Sequence, residues 1–174
     1  VPIEKVKVVT GDTATVPYGG GTWASRGAGI GGEAALQAGT ALRRQILDVA
    51  AAILQAPAEG LDIAGGEIVD PGGRPRISLG ELARMCYYRG NELPPDLRPE
   101  LIATRHYRVT DYPFVFTNGA MASWLEVDVD TGLVTLLGHW VVEDCGRVIN
   151  PKLVDEQIRG GVVQGIGGAL FEEC

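Results

Sequence analysis

Apolar residues recur about every 3.6 positions through the segment from Glu33 to Gln55. This spacing places them along one side of a helix, so the segment is predicted to be an amphipathic α-helix. Pro57 follows it and ends it. Ser78 is followed three positions later by Glu81, a capping-box pattern that predicts a second helix running to about Tyr88.

Alternating and β-branched segments predict the strands. Short runs at Lys5–Thr10 and Leu101–Val109 are predicted strands, and Met121–Val129 and Val134–Glu143 are two more, joined by the turn Asp130–Gly132. Acidic and aliphatic side chains alternate along Met121–Val129, so one face of that strand is expected to be solvated.

Turn residues and prolines organise the remaining segments. A hairpin is predicted over Leu61–Ile68, a turn at Pro71–Gly73, and a C-terminal helix from Asn150 to Phe171 with proline in its first turn. The pattern indicates the α/β (α+β) class, with a mixed sheet and packed helices. Residues 1–174 are expected to form one domain, with the proline-rich segment 91–99 as the candidate internal connector.

Composition narrows the class of protein. The chain has 174 residues, 45% of them hydrophobic and 21% charged, which is typical of one soluble globular domain. Its net charge of −7 argues against nucleic acid or an anionic membrane surface as a partner. No apolar run approaches the roughly 20 residues of a membrane span.

The cysteines and the N-terminal sequence give information about the cellular compartment of the protein. Cys86, Cys145 and Cys174 are widely separated, so no C-x-x-C pair is present to hold zinc or an iron–sulfur cluster. A reduced, cytoplasmic compartment is favoured, with the periplasm left open. The chain begins at Val1 without a signal peptide, and we expect it to be a segment of a longer protein.

The segment Gly11–Gly32 holds eight glycines and is predicted to be a long structured loop. Gly27–Gly32 matches G-x-G-x-x-G, but a dinucleotide fold needs a strand directly before the glycines, and the predicted strand ends near Thr10. The N–H groups at the start of the following helix can hold an anion, with a plain tight turn as the alternative. Ser25 can donate a hydrogen bond and Arg26 can pair with phosphate, unless the two are simply a solvated loop pair.

The C-terminal helix contains five glycines, each costing about 1 kcal/mol relative to alanine in a helix interior. We expect that a ligand or another backbone approaches these glycines closely and compensates for this cost. A crossing with another helix through the small residues is the simpler alternative. Gln164 lies among these glycines and is predicted to be a buried amide with hydrogen-bond partners.

Glu143 and Asp144 point to opposite faces of a strand, so they form no catalytic dyad. The two histidines, His106 and His139, lie in strand patterns and are interpreted as structural.

Three stretches of the chain carry a family resemblance: Val1–Ala34, with its P-Y-G-G-G-T-W-A-S-R-G motif, Leu125–Gly132, and Val142–Glu173, with G-G-V-V-Q-G-I-G-G. They resemble the molybdopterin-binding large subunit of the molybdenum hydroxylases, the xanthine dehydrogenase, aldehyde oxidoreductase and carbon monoxide dehydrogenase family. The resemblance covers essentially the whole chain, as the C-terminal part of such a subunit that is incomplete at both ends.

The resemblance implies a cofactor and its contacts. Pterin dithiolene sulfurs hold molybdenum without a protein ligand, and the cofactor is a molybdopterin or its dinucleotide. The catalytic glutamate base is implied to lie beyond Cys174, so no catalytic residue is assigned and the isolated chain is expected to be inactive. The cofactor-binding residues implied by position are Gly21, Ala24, Ser25, Arg26, Gly27, Ala28, Gly29 and Gln164.

The function implied is that of an oxidoreductase that hydroxylates an aldehyde, an N-heterocycle or a similar small substrate. Its implied partners are the remaining part of the large subunit and subunits or domains carrying 2Fe–2S clusters and FAD. The alternative is a non-catalytic scaffold or assembly module that keeps the fold and has lost cofactor binding. Whether Ser25 and Gln164 face a common cavity separates these two hypotheses.

Overall fold

The computed structural model describes residues 1–16, 18–110 and 116–173. The chain divides into two compact units, Val1–Asp111 and Tyr112–Cys174, and each is described by itself. Two residues used in the sequence predictions, Pro17 and Cys174, lie outside the described residues. The predicted class, which combines helices with sheet, is confirmed, and the strand pairs in the described part are antiparallel. Short connections between consecutive strands produce this pairing.

Helix α1 spans Gly32–Leu54, which confirms the prediction from hydrophobic periodicity. Its second half carries the buried residues Leu47, Val49 and Ala50. The helix ends at Gln55, whose backbone takes the left-handed conformation at φ 51°. The apolar stripe therefore anchors the C-terminal half of α1 in the first unit, while its N-terminal end follows the glycine-rich loop.

Three short antiparallel strands pack against α1: β1 (Asp62–Ala64), β2 (Glu67–Val69) and β3 (Pro75–Ser78). The predicted hairpin between β1 and β2 is confirmed, with both of its turn glycines at positive φ. The predicted turn before β3 is also present, and the Asp70 carboxylate accepts N–H bonds from Gly72 and Arg74 at 2.9 and 3.0 Å. Strand β3 itself was not predicted from the sequence.

Helix α2 spans Leu79–Tyr88 and begins as its capping pattern predicted. The Ser78 hydroxyl accepts a hydrogen bond from the Glu81 N–H at 3.1 Å. This helix brings Leu82 and Cys86 into the core. Burial of each large aliphatic side chain in this core contributes about 1.5–3 kcal/mol to the stability of the fold. The core consists of seven buried residues: Leu47, Val49, Ala50, Leu61, Ile68, Leu82 and Cys86.

The second unit is an antiparallel ribbon and one helix. Strands β4 (Asn118–Val127) and β5 (Val134–Asp144) pair along their whole length, and α3 spans Pro151–Leu170. These bounds confirm the two strands and the C-terminal helix predicted from the sequence. The Asn150 side chain caps α3 by accepting from the N–H groups of Lys152 and Leu153 at 3.1 and 3.3 Å. None of the described residues of this unit is buried.

Three sequence predictions about strands were wrong. Ile3–Lys5 forms a 3-10 turn, and neither Val6–Thr10 nor Leu101–Val109 is a strand. A β-branched run becomes a strand only where a neighbouring strand accepts its backbone hydrogen bonds, and no described strand pairs with either run. One face of β4 was predicted to be solvated, but both of its faces are exposed.

Within the described residues, no helix is both long and apolar enough to cross a lipid bilayer.

Candidate functional site

The loop that leads into α1 begins with two left-handed glycines. Gly20 and Gly21 have φ angles of 64° and 75°, which side chains rarely tolerate. A Cβ added to Gly20 would lie 2.9 Å from Nη2 of Arg26. A side chain at this position would adopt a strained backbone conformation and would displace the Arg26 guanidinium.

The next two residues are also left-handed, although neither is glycine. Ala24 and Ser25 both have φ 54°, and the Arg26 N–H closes the turn onto the Trp23 carbonyl at 3.3 Å. Two successive positive φ angles are the arrangement of a type I′ turn. Each non-glycine residue in this conformation costs about 1–2 kcal/mol. Strain of this kind concentrates at ligand-binding segments.

Arg26 folds back over the loop instead of extending into solvent. Its Nε donates to the Gly21 carbonyl at 3.0 Å, and its Nη2 donates to the carbonyls of Gly21, at 2.6 Å, and of Gly20. Its guanidinium carbon lies 4.4 Å from the centroid of the Trp23 ring. The indole N–H of Trp23 donates to the Gly20 carbonyl at 3.1 Å. We call this set of four residues, Gly20, Gly21, Trp23 and Arg26, the arginine clamp.

The residues after the clamp start the helix and leave N–H groups open. Gly27–Gly31 forms a π-helical turn that continues into α1. The Ile30 N–H bonds to the Arg26 carbonyl at 2.9 Å. Among the described residues none accepts from the N–H groups of Gly27, Ala28 or Gly29, and all three are exposed. Free N–H groups at the positive end of a long helix are suited to an anion.

The structure does not support a dinucleotide fold at this loop. No strand precedes Gly27 in the described residues 1–16 and 18–26, and such a fold needs one there. The G-x-G-x-x-G match reflects the glycine-rich turn and the helix start alone.

Gln164 lies in α3 and is exposed, so the prediction of a buried amide was wrong for this chain. Apart from the chain neighbours and the adjacent backbone of α3 itself, a Cβ added to Gly160, Gly161, Gly165 or Gly168 would meet no described atom within 4 Å. No close-packed neighbour in this unit therefore compensates for these glycines. Ser25 and Gln164 belong to different units, and their common cavity stays a prediction.

Histidines and carboxylates form no catalytic constellation among the described residues. His106 lies in an irregular segment, whereas His139 lies in β5 with its Nδ1 2.8 Å from the Ser123 hydroxyl. Asp144 accepts from the Gly146 N–H at 2.9 Å, a local turn bond. In the same described ranges, no group of three His, Cys, Asp or Glu residues could hold a metal ion.

Sequence reasoning named most residues of this loop as candidates, and it missed the arginine clamp. The available signal was the aromatic residue three positions before an arginine, both following a run of three glycines. It also missed the pair formed by Ser123 and His139, which depends on cross-strand register.

The sequence matches the family described as molybdopterin cofactor-binding domain over residues 1–174. It is 37% identical over 174 residues to the nicotine 6-hydroxylase large subunit of Paenarthrobacter nicotinovorans, covering 99% of this chain and 21% of that protein. It is 34% identical over 176 residues to a putative xanthine dehydrogenase molybdenum-binding subunit of Escherichia coli (strain K12), covering 99% and 22%.

A crystal structure of quinoline 2-oxidoreductase from Pseudomonas putida 86 is similar with a TM-score of 0.68 and 35% identity. That similarity covers 86% of this chain and 19% of the other. The chain thus spans about a fifth of the length of the relatives it matches.

Proposed function

Because the chain belongs to the family of molybdopterin cofactor-binding domains, we propose that it forms part of the site that holds a molybdenum cofactor. The observation that carries the proposal is the loop before α1, with its strained turn at Ala24–Ser25 and the open N–H groups of Gly27–Gly29. These groups fit the phosphate of a pterin cofactor, since unpaired backbone donors at a helix start bind anions.

The proposed contacts divide by chemistry. Backbone N–H groups supply donors to phosphate oxygens, the Ser25 hydroxyl supplies one further donor, and the exposed amide of Gln164 can donate and accept. The full set proposed to contact the cofactor or to shape the loop that contacts it is Gly21, Ala24, Ser25, Arg26, Gly27, Ala28, Gly29 and Gln164. When bound, the cofactor supplies the redox chemistry, while these residues bind and orient it.

The activity proposed for the whole protein is supported by the family to which the chain belongs. We propose that it is a molybdopterin-dependent oxidoreductase that hydroxylates an aldehyde, an N-heterocycle or a similar small substrate. Its relatives are named as large or molybdenum-binding subunits, which supports a protein made of several chains. We propose that partner subunits or domains carry 2Fe–2S clusters and FAD. No described residue of this chain is assigned as the base.

Ala28→Asp tests the loop assignment in the natural protein. Asp in the first turn of a helix suits the helix dipole, so the fold should be retained. Its carboxylate competes with phosphate for the same N–H groups. Molybdenum and pterin per polypeptide should fall about tenfold, corresponding to ~1.4 kcal/mol. Ala35→Asp, at an exposed position further along α1, is the matched control and should keep the wild-type content.

Two outcomes would contradict the proposal at different levels. Full cofactor content in Ala28→Asp would remove this loop from the site. A wild-type protein purified in native form without molybdenum or pterin would favour the scaffold alternative.

A further inference from the structure

We propose that Arg26 is a positioning residue, which holds the cofactor loop in shape through its neighbours instead of pairing with the cofactor phosphate. The inference rests on the proposed function and deepens it. It assigns to the arginine clamp the task of maintaining the strained turn that precedes the open N–H groups.

Two of the three guanidinium nitrogens already donate to backbone carbonyls. Nε and Nη2 donate to Gly21 at 3.0 and 2.6 Å, and Nη2 donates to Gly20 as well. The side chain is half-buried, whereas the residues on either side of it are exposed. Charge-assisted hydrogen bonds of this kind fix geometry, because the planar guanidinium presents its donors in a rigid fork.

Trp23 supplies the remaining contacts of the clamp. Its ring lies 4.4 Å from the guanidinium carbon, and its indole N–H donates to the Gly20 carbonyl at 3.1 Å. The Gly20 carbonyl thus receives donors from both Trp23 and Arg26. Removing either side chain leaves the other with an incomplete set of contacts.

The clamp brackets the strained turn. Trp23 and Arg26 are the residues directly before and after Ala24–Ser25, and the Arg26 N–H bonds to the Trp23 carbonyl at 3.3 Å. Left-handed alanine and serine are unfavourable by themselves, so this turn persists only while its flanks are held. Arg26 contacts the Trp23 ring on one side of the turn and is itself the residue on the other side. The open N–H groups follow directly after it.

Lysine distinguishes the two roles of Arg26. A residue that acts as a positive charge toward phosphate tolerates lysine, whose ammonium is a compact point charge. The clamp does not tolerate it, because an ammonium has neither the planar fork nor the flat face that stacks on Trp23.

The test uses the natural, cofactor-loaded protein with Arg26→Lys, Arg26→Ala, Trp23→Leu and the double variant Arg26→Ala/Trp23→Leu. Arg44→Lys, at an exposed position on α1, is the matched control. The first readout is the rate at which pterin is released on dilution. The second is amide hydrogen exchange in the peptide covering residues 20–26, which contains the clamp and none of the N–H groups of Gly27–Gly29 that are proposed to hold the phosphate.

We expect Arg26→Lys and Arg26→Ala to release pterin faster by similar factors, roughly tenfold or more, with exchange in the loop raised alike. The double variant should be no worse than the single ones, since all remove one unit. Arg26→Lys matching the wild type, or additive effects in the double variant, would overturn the positioning role and leave the proposed function standing. Wild-type protein without cofactor would instead contradict the proposed function, and unchanged loop exchange in Arg26→Lys would still overturn the clamp. If Arg26→Ala fails to fold, Arg26→Lys decides.

Discussion

At the scale of single residues, the most informative positions are two left-handed positions that are not occupied by glycine. Ala24 and Ser25 adopt a left-handed backbone in a loop where glycine stands at many other positions. Glycine would adopt this conformation without the cost of about 1–2 kcal/mol that alanine and serine carry. A methyl and a hydroxyl are kept where glycine would be easier, which agrees with side-chain contacts to a ligand.

The clamp predicts unequal effects of two neighbouring glycine substitutions. Gly20→Ala should lower cofactor content and raise loop exchange, because φ is 64° and its Cβ would lie 2.9 Å from Nη2 of Arg26. Gly19→Ala should be close to neutral, since φ there is not positive and a Cβ meets no described atom within 4 Å. Pterin content and the free energy of unfolding of both variants measure this difference. Equal effects of the two variants would argue against the clamp.

The side-chain chemistry of the candidate site could be predicted from the sequence, but the geometry of the loop could not. Ser25 and Arg26 were identified by what their side chains can donate. That Arg26 turns onto the carbonyls of Gly20 and Gly21 depends on left-handed backbone angles, which no side-chain pattern encodes. The exposure of Gln164 depends on which surfaces cover α3, and local sequence carries no information about that.

At the scale of elements, structure held by local contacts was predictable and structure held by distant partners was not. The α2 start follows from the hydrogen bond between Ser78 and Glu81, three positions apart. The run Lys5–Thr10 has the composition of a strand, yet a strand also needs a neighbour distant in sequence. Strand β3, with proline at its start, shows the converse, because pairing with β2 overrides a weak local signal.

The β4–β5 turn should respond to acid through Asp128. The Thr131 N–H, then the Thr131 hydroxyl and the Asp130 N–H, hold the pKa of Asp128 below its ordinary 3.8. A pKa lowered on folding stabilises the turn at pH values above the unfolded-state pKa, and this contribution is lost as pH falls through the lowered value. The N–H chemical shifts of Asp130 and Thr131 should therefore change together below about pH 4.

Asp128→Asn is the informative variant for that titration, since its amide oxygen keeps an acceptor without an ionisable group. Its turn N–H shifts should stay flat over the same acidic range. Asp130→Asn, in the same turn, should titrate like the wild type, because its side chain accepts none of the turn bonds described. A flat profile in the wild type would contradict the role of Asp128.

At the scale of the whole chain, burial is distributed unevenly. The first unit contains the seven-residue core, with Ile68 and Leu82 completely buried. The described part of the second unit has no buried residue and exposes both of its tryptophans, Trp124 by 62% and Trp140 by 57%. Local stability follows buried apolar contacts, so the two units should differ widely in how often they open.

Hydrogen exchange of the chain by itself measures that difference. Amides near Val49 and Ala50 should exchange slowest, because they lie at the centre of the core. Amides of α3 should exchange roughly a hundredfold faster or more, although they are helical, because little buried surface opposes their opening. In the larger assembly proposed above, protection of α3 should rise. Equal protection of α1 and α3 in the chain alone would refute this view.

The ribbon of β4 and β5 has a consequence for how the chain behaves in solution. In the described residues each of these strands pairs only with the other, so both outer edges present unpaired backbone donors and acceptors. Neither strand contains the proline or lysine that commonly protects such edges. Uncovered edges of this length invite pairing with the same edge of another molecule. Chain concentration therefore sets the balance between dispersed and aggregated material whenever the ribbon is left uncovered.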